Sequence, residues 1–169
     1  MKAVVRSGSE ADLERVTEIK VRNWADTYRA LVEPRVLAPF LDYEIQLAAM
    51  REAFSGGHTL LLVAETEAAG VGAFALTYPD HQPEPWLESL HVLRELRSQG
   101  LGTLLTRATA GELKRSGFAS LRLGIVVGNT AAARFYERLG ATFAGREPAS
   151  WGDGVWHEIY RWPDLDALA

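Results

Sequence analysis

Apolar positions recur along this chain with two periods, one of two residues and one near 3.6, and their alternation predicts the elements. Residues 2–6 alternate weakly and predict a short strand. Ser9 then precedes Glu10, Ala11 and Asp12, the pattern of a helix N-cap with acids in the first turn. Leu13, Val16 and Ile19 follow at helical spacing, and Trp24 and Tyr28 prolong the segment until Pro34 and Pro39 break it. A second helix is predicted from near Asp42 to Phe54, with Ile45, Ala49 and Met50 on its inner face and Gly56-Gly57 at its end. Thr59 to Glu65 and Val71 to Tyr78 read as a hairpin around Glu67 to Gly70. After a stiff loop with Pro79, Pro83 and Pro85, Trp86 to Val92 is a further strand. Strict alternation there puts Trp86, Glu88, Leu90 and Val92 on one face and Leu87, Ser89 and His91 on the other. Gly100 to Ser116 is helical, with Leu101, Leu104, Leu105, Ala108 and Leu113 inward. Leu121 to Val127 is a strand, Thr130 to Leu139 a helix stopped by Gly140, and the tail holds strands near Ala141–Gly145 and Val155–Trp162. The order β-α-α-β-β-β-α-β-α-β-β is mixed α/β.

A length of 169 residues with no repeat or linker predicts a single domain over 1–169. The chain has no cysteine, which excludes a disulfide framework, a cysteine-ligated metal and a cysteine nucleophile. His58, His81, His91 and His157 are scattered without ligand spacing, so no metal is expected. A net charge of -4 argues against nucleic acid as a partner. The N-terminus lacks a signal-peptide core and no apolar run is long enough to span a bilayer, so no membrane partner and a cytoplasmic location are expected.

The run Arg97-Ser98-Gln99-Gly100-Leu101-Gly102-Thr103 lies where a strand gives way to an amphipathic helix. The first turn of that helix has free N–H groups and the positive end of the helix dipole. Gly100 and Gly102 would let a phosphate approach the backbone, and Arg94 and Arg97 add positive charge. The same residues also fit a plain strand–helix turn with two surface arginines. A dinucleotide fingerprint matches less well, because Leu105 stands where a small residue is needed, and no Gly-Lys-Ser/Thr follows to make a Walker loop.

Downstream comes Asn129-Thr130-Ala131-Ala132-Ala133-Arg134-Phe135-Tyr136-Glu137-Arg138-Leu139-Gly140-Ala141. Together with Leu90-His91-Val92 and Arg97-x-x-Gly100-x-Gly102, this resembles the acetyl-CoA-binding core of the GNAT superfamily of N-acetyltransferases, closely over about residues 86–145 and in element order over nearly the whole chain. The chain departs from the pattern at Gln99, where a basic residue is common, and at Ala141, where an aromatic is common. The resemblance implies the GNAT acyl-CoA N-acyltransferase fold: a mixed, mostly antiparallel sheet splayed at the cofactor site and flanked by four helices. It implies acetyl-CoA as cosubstrate, bound through Leu90, His91, Val92, the run Arg97, Ser98, Gln99, Gly100, Leu101, Gly102, Thr103, and Asn129. Leu90 and Val92 would pair with the pantetheine as an added strand, and the Val92 N–H would polarise the thioester carbonyl. Asn129 is equally an N-cap for the helix from Thr130.

Acetyl transfer needs a neutral amine. A lysine-like amine is neutral in only ~1 in 1,000 molecules near pH 7, a penalty of roughly 4–5 kcal/mol. Glu88, on the strand that frequently carries the base in GNAT enzymes, is the candidate base, with His91 as the other nearby titratable group. Tyr136 is the candidate acid, since a phenol near 10 protonates a thiolate near 8.5 downhill; a helix-face core aromatic is its other role. With no nucleophile in an activated context, direct transfer in a ternary complex is expected. The GNAT acceptor wall maps onto 24–40 and 147–156, where Trp24, Tyr28, Trp151 and Trp156 are candidates, with Trp24 and Tyr28 foremost. Asp26, Glu33, Asp80, Glu84 and Asp153 would attract a cationic amine. The expected function is acetyl-CoA-dependent transfer to a small-molecule or peptide amine. The alternative is a non-catalytic acyl-CoA-binding or sensing module. Loop tryptophans and a C-terminal hairpin edge predict a homodimer.

Overall fold

The computed structural model describes residues 2–169. Among them, seven strands form one sheet in the order β1-β2-β3-β4-β5-β7-β6. These are β1 Ala3–Ser7, β2 Leu60–Thr66, β3 Gly70–Tyr78, β4 Trp86–Val92, β5 Leu121–Val126, β6 Thr142–Pro148 and β7 Trp156–Trp162. The helices are α1 Leu13–Tyr28, α2 Pro34–Leu37, α3 Tyr43–Ser55, α4 Leu101–Arg115 and α5 Thr130–Arg138. The order is the predicted one with a fifth helix added. That helix, α2, is a single turn started by Pro34. Proline breaks a helix interior, but its fixed φ and missing N–H cost nothing in a first turn.

Buried residues run consecutively along β2 and β3, so both faces of the sheet are covered. Helices α1 and α4 both pack on β3, α1 with α3 beside it and α4 on the other face. The start of α1 shows how local chemistry sets an element. Ser9 and Asp12 form a capping box, and Arg6 of β1 holds both Asp12 oxygens at 2.8 and 2.9 Å. This pairing draws the Asp12 carboxyl down to about 2. The capped turn is 3₁₀, so the regular helix opens only at Leu13.

Two inner faces differ from the predicted ones. In α3, Ile45 and Ala49 are exposed, while Gln46, Leu47 and Met50 point inward. The Gln46 amide is useful there: its oxygen accepts from Lys20 Nζ at 2.9 Å and its nitrogen donates to the Pro39 carbonyl at 3.0 Å. In α4, Leu104 is exposed and Thr106 and Thr109 are buried; Thr106 returns its hydroxyl to the Gly102 carbonyl at 2.8 Å.

All strand pairs are antiparallel except β4 and β5, which pair in parallel at one point, Trp86 opposite Arg122. The Arg122 N–H donates to the Pro85 carbonyl at 3.0 Å. Beyond that point the strands part. Parallel neighbours require a crossover, and α4 supplies it, starting beyond the open end of β4. The ladder between β3 and β4 also shifts. Leu76 faces Ser89 and Thr77 faces Leu87, which leaves Glu88 as the extra residue of a β-bulge. The strict alternation expected along β4 therefore breaks at Glu88.

Candidate active site: a cleft between β4 and β5

The parting of β4 and β5 leaves main-chain groups without ladder partners. Leu93 donates to the Gly72 carbonyl at 2.9 Å. Antiparallel alternation then aims His91 at β3 as well, and turns Leu90 and Val92 toward the gap. On the other side, Val127 donates to Trp156 at 3.0 Å, which turns Gly124 of β5 into the same gap. The Val92 carbonyl is held from outside the ladder by Asn23 Nδ2 at 2.9 Å and Arg97 Nε at 3.3 Å.

The turn at the head of the gap is built on two left-handed residues, Ser98 at φ 63° and Gly100 at φ 86°. Leu104 makes the first helical bond, to the Gly100 carbonyl at 2.9 Å, so the N–H groups of Leu101, Gly102 and Thr103 point forward from α4. The two glycines have different reasons. Nothing lies within 4 Å of the place a Gly100 Cβ would take, and its φ demands glycine. At Gly102 the missing Cβ makes room for the Phe135 ring, 3.1 Å away, so this glycine serves α4–α5 packing. Gln99 turns its amide back to the Glu95 carbonyl at 3.3 Å.

A cavity of about 680 Å³ fills the gap. It takes in Trp24, Tyr28, Glu88, Leu90, His91, Val92, Arg97, Ser98, Gly100, Leu101, Gly102, Thr103, Asn129 and Tyr136, which are the predicted site residues except Gln99. It also takes in Asn23 and Thr27 of α1, Gly124 of β5 and Arg138 of α5, none of which motif reasoning found. Asn23 and Thr27 stand one turn apart on the face of α1 that also carries Val16 and Lys20, so only their helical spacing links them to the site.

Glu88 is exposed to the cavity, and its Oε2 accepts from the Trp86 indole at 2.8 Å. Lys20 of α1 lies near enough to act on the charge of both Glu88 and His91, and both residues line the cavity although strict alternation assigns them to opposite faces. Burial is the main cause that pushes His91 down to about 3, with the Lys20 and Arg97 charges adding to it; the ring is neutral at pH 7 and its Nδ1 lies 3.4 Å from Asn23 Nδ2. Tyr136 is buried, edge-on to Phe135 at 5.0 Å and Trp162 at 5.9 Å, and burial raises its phenol above the ordinary range. Burial also pushes Tyr28 up to about 12, opposed by a bond from Asn129. The Asn129 oxygen meanwhile accepts from Ala132 N at 3.3 Å as the N-cap of α5.

Trp24 stacks on Phe40 at 4.7 Å and meets Tyr28 at 4.8 Å and Trp151 at 4.9 Å, which closes one end of the cavity with aromatic rings. Trp156 stands apart and is half exposed. The acids expected to draw a cation are elsewhere. Glu84 is held by Arg161 at 2.8 Å, Asp80 lies by His58 at 3.6 Å and Glu33 by Arg35 at 3.3 Å, and Asp26 and Asp153 lie outside the cavity. Among the described residues no cluster of three metal-binding side chains forms, and no helix is long and apolar enough to cross a membrane.

The sheet is thus opened between two parallel strands, with the N-terminus of α4 at the head of the opening. The model of the acetyltransferase (GNAT) family matches residues 17–141, and the chain belongs to that family. Over 55 residues it is 40% identical to N-alpha-acetyltransferase 30 of Schizosaccharomyces pombe, a match covering 32% of this chain and 37% of that one. The chain thus matches well under half the length of this relative. Two solved structures share the fold. PaiA N-acetyltransferase from Thermoplasma acidophilum in complex with coenzyme A is 20% identical, with a TM-score of 0.73 over 95% of this chain and 98% of that one. YncA from Salmonella typhimurium with its cofactor acetyl-CoA is 22% identical, with a TM-score of 0.71 over 98% and 95%.

Proposed function

We propose that this protein moves the acetyl group of acetyl-CoA directly to a primary amine within a ternary complex. The observation that carries the proposal is the convergence of Glu88, Tyr136, the free edge of β4 and the α4 N-terminus on one cavity. Membership of the GNAT family and the coenzyme A ligands of the two fold neighbours support the choice of cosubstrate. The forward N–H groups of Leu101, Gly102 and Thr103 and the open space at Gly100 fit a pyrophosphate, with Arg97 adding charge. Leu90 and Val92 offer an unpaired strand edge to the pantetheine amides, and the Asn129 amide stands beside them across the gap.

In this reading Glu88 takes the proton of the attacking amine as the C–N bond forms. The Val92 N–H donates to the oxygen that gains charge, held in place by the Asn23 and Arg97 bonds on the neighbouring carbonyl. Tyr136 gives its proton to the thiolate as the C–S bond breaks. A neutral His91 with little basicity supports Glu88 as the base. Trp24 and Tyr28 wall the acceptor, whose class is a small-molecule amine or an N-terminal or lysyl amine of a peptide. A homodimer through the outer edge of β6, where Phe143 is exposed, is part of the proposal, and light scattering at tens of micromolar is expected to give twice the chain mass.

The test is thiol release from acetyl-CoA across a panel of amines, followed by the rate–pH profile of Glu88→Gln with the best of them. Glu88→Gln should lose the rising acidic limb and recover partly at high pH, where the amine deprotonates unaided. A profile that is only scaled down removes Glu88 as the base. Tight binding of coenzyme A with no thiol release from any amine overturns catalysis in favour of a sensing module.

A further inference from the structure

Trp86 lies outside the cavity, yet its indole N–H donates to Glu88 Oε2 at 2.8 Å. The ring is fixed from several directions. His81 stacks on it at 5.3 Å, the Arg122 guanidinium lies 5.8 Å from its centre, and His157 packs at 6.3 Å. His157 is itself pinned, since its Nε2 accepts from the Trp151 indole at 3.2 Å. Beneath both rings is Gly124, where a Cβ would come within 3.0 Å of Trp86 and 2.4 Å of His157. The indole therefore occupies a moulded seat at the last paired point of β4 and β5. Glu88 has no comparable support from its own strand, because the bulge leaves it without a cross-strand partner.

We infer that Trp86 is a positioning residue for Glu88: its N–H anchors Oε2 and leaves Oε1, which takes no hydrogen bond from the described residues, to receive the proton of the amine. The inference rests on the proposal that Glu88 is the base. The bulge frees the side chain from the ladder, and the anchored indole supplies the direction the ladder no longer sets. Lys20 of α1 and Tyr78 of β3 are the other titratable groups near enough to feel the Glu88 charge, and Lys20 Nζ is itself engaged with Gln46 Oε1 at 2.9 Å.

Trp86→Phe keeps an aromatic ring over Gly124 and removes the N–H, and Trp86→Met covers the same ground with a flexible apolar chain. Both should lower kcat about 10–100-fold with the best amine of the panel, the cost of a misplaced catalytic group, while the Kd of coenzyme A stays within about twofold. In a Glu88→Gln background Trp86→Phe should change kcat by less than about twofold, since both variants act through one group. A second arm needs no acceptor. In a proton–nitrogen spectrum, the indole signal absent from Trp86→Phe should move with acidic pH in the parent protein and stop moving in Glu88→Gln. That control separates Glu88 from the nearby His157. Unchanged kcat in both Trp86 variants, a multiplicative loss in the double variant, or an indole signal indifferent to Glu88→Gln each overturns the inference and leaves the base standing. Near-normal kcat in Glu88→Gln instead removes the base and the inference with it.

Discussion

Replacing Tyr136 with phenylalanine removes one oxygen from a ring that is 8% exposed and leaves the rest of the packing in place. The edge-on contacts with Phe135 and Trp162 belong to the ring, and the hydroxyl makes no hydrogen bond to the described residues. Loss of a hydroxyl without a protein partner leaves nothing unsatisfied behind, so stability should change by less than about 0.5 kcal/mol. Turnover should fall far more. General acid help is worth about 10²–10⁴-fold, or roughly 2.7–5.5 kcal/mol of barrier. Single-turnover thiol release from acetyl-CoA reads the step itself, calorimetry with coenzyme A reads binding, and thermal unfolding reads stability. Only the first should move. The pH dependence has a definite sign. Burial raises the phenol above its ordinary value near 10, so the acid stays protonated through the neutral and mildly alkaline range. An unfolded chain would ionise it from about pH 10, so this group's contribution to stability is complete below that pH and is lost as pH rises through the higher folded value. Near-wild-type single-turnover rates in Tyr136→Phe would refute the acid role and leave the tyrosine as packing.

Gly100→Val should abolish coenzyme A binding, because a β-branched residue is strained at φ 86° and its side chain would project into the open space at the head of the cleft. Calorimetry with coenzyme A, NAD and ATP checks this, and tighter binding of NAD than of coenzyme A by the parent protein would sink the assignment of the turn. Asp12→Asn should reduce the acid sensitivity of the fold. With Asp12 drawn from 3.8 down to about 2 by Arg6, its contribution is present above about pH 4 and is lost as pH falls toward 2. Urea unfolding at pH 7 and pH 3 should show a smaller loss in the variant than in the parent.

Elements and their order were legible because they depend on near neighbours. The capping pair Ser9 and Asp12, the positive-φ glycines at 57, 117 and 140, and the 3.6-residue spacing in α1 and α4 each act within a turn or two. The turn from Arg97 to Thr103 was legible for the same reason. A forward-pointing helix start and a left-handed Gly100 are properties of seven consecutive residues. What local pattern could not supply was set between distant segments. The bulge at Glu88 exists because β3 and β4 are out of step, and it turned the face of a residue assigned by alternation. The parting of β4 from β5 after Trp86 and Arg122 lies between two strands that are distant in the chain and joined only through α4. The contact between Gly102 and Phe135, 33 positions on, adds a packing reason for that glycine that the turn's own sequence does not show. Gln46 turned inward against the helical pattern because Lys20 of another helix needed an acceptor for a nearly buried ammonium. A hydropathy pattern records whether a residue wants water. Which partner a buried polar group meets, and which strand edge is left open, are decided only when segments far apart in the chain compete for the same space.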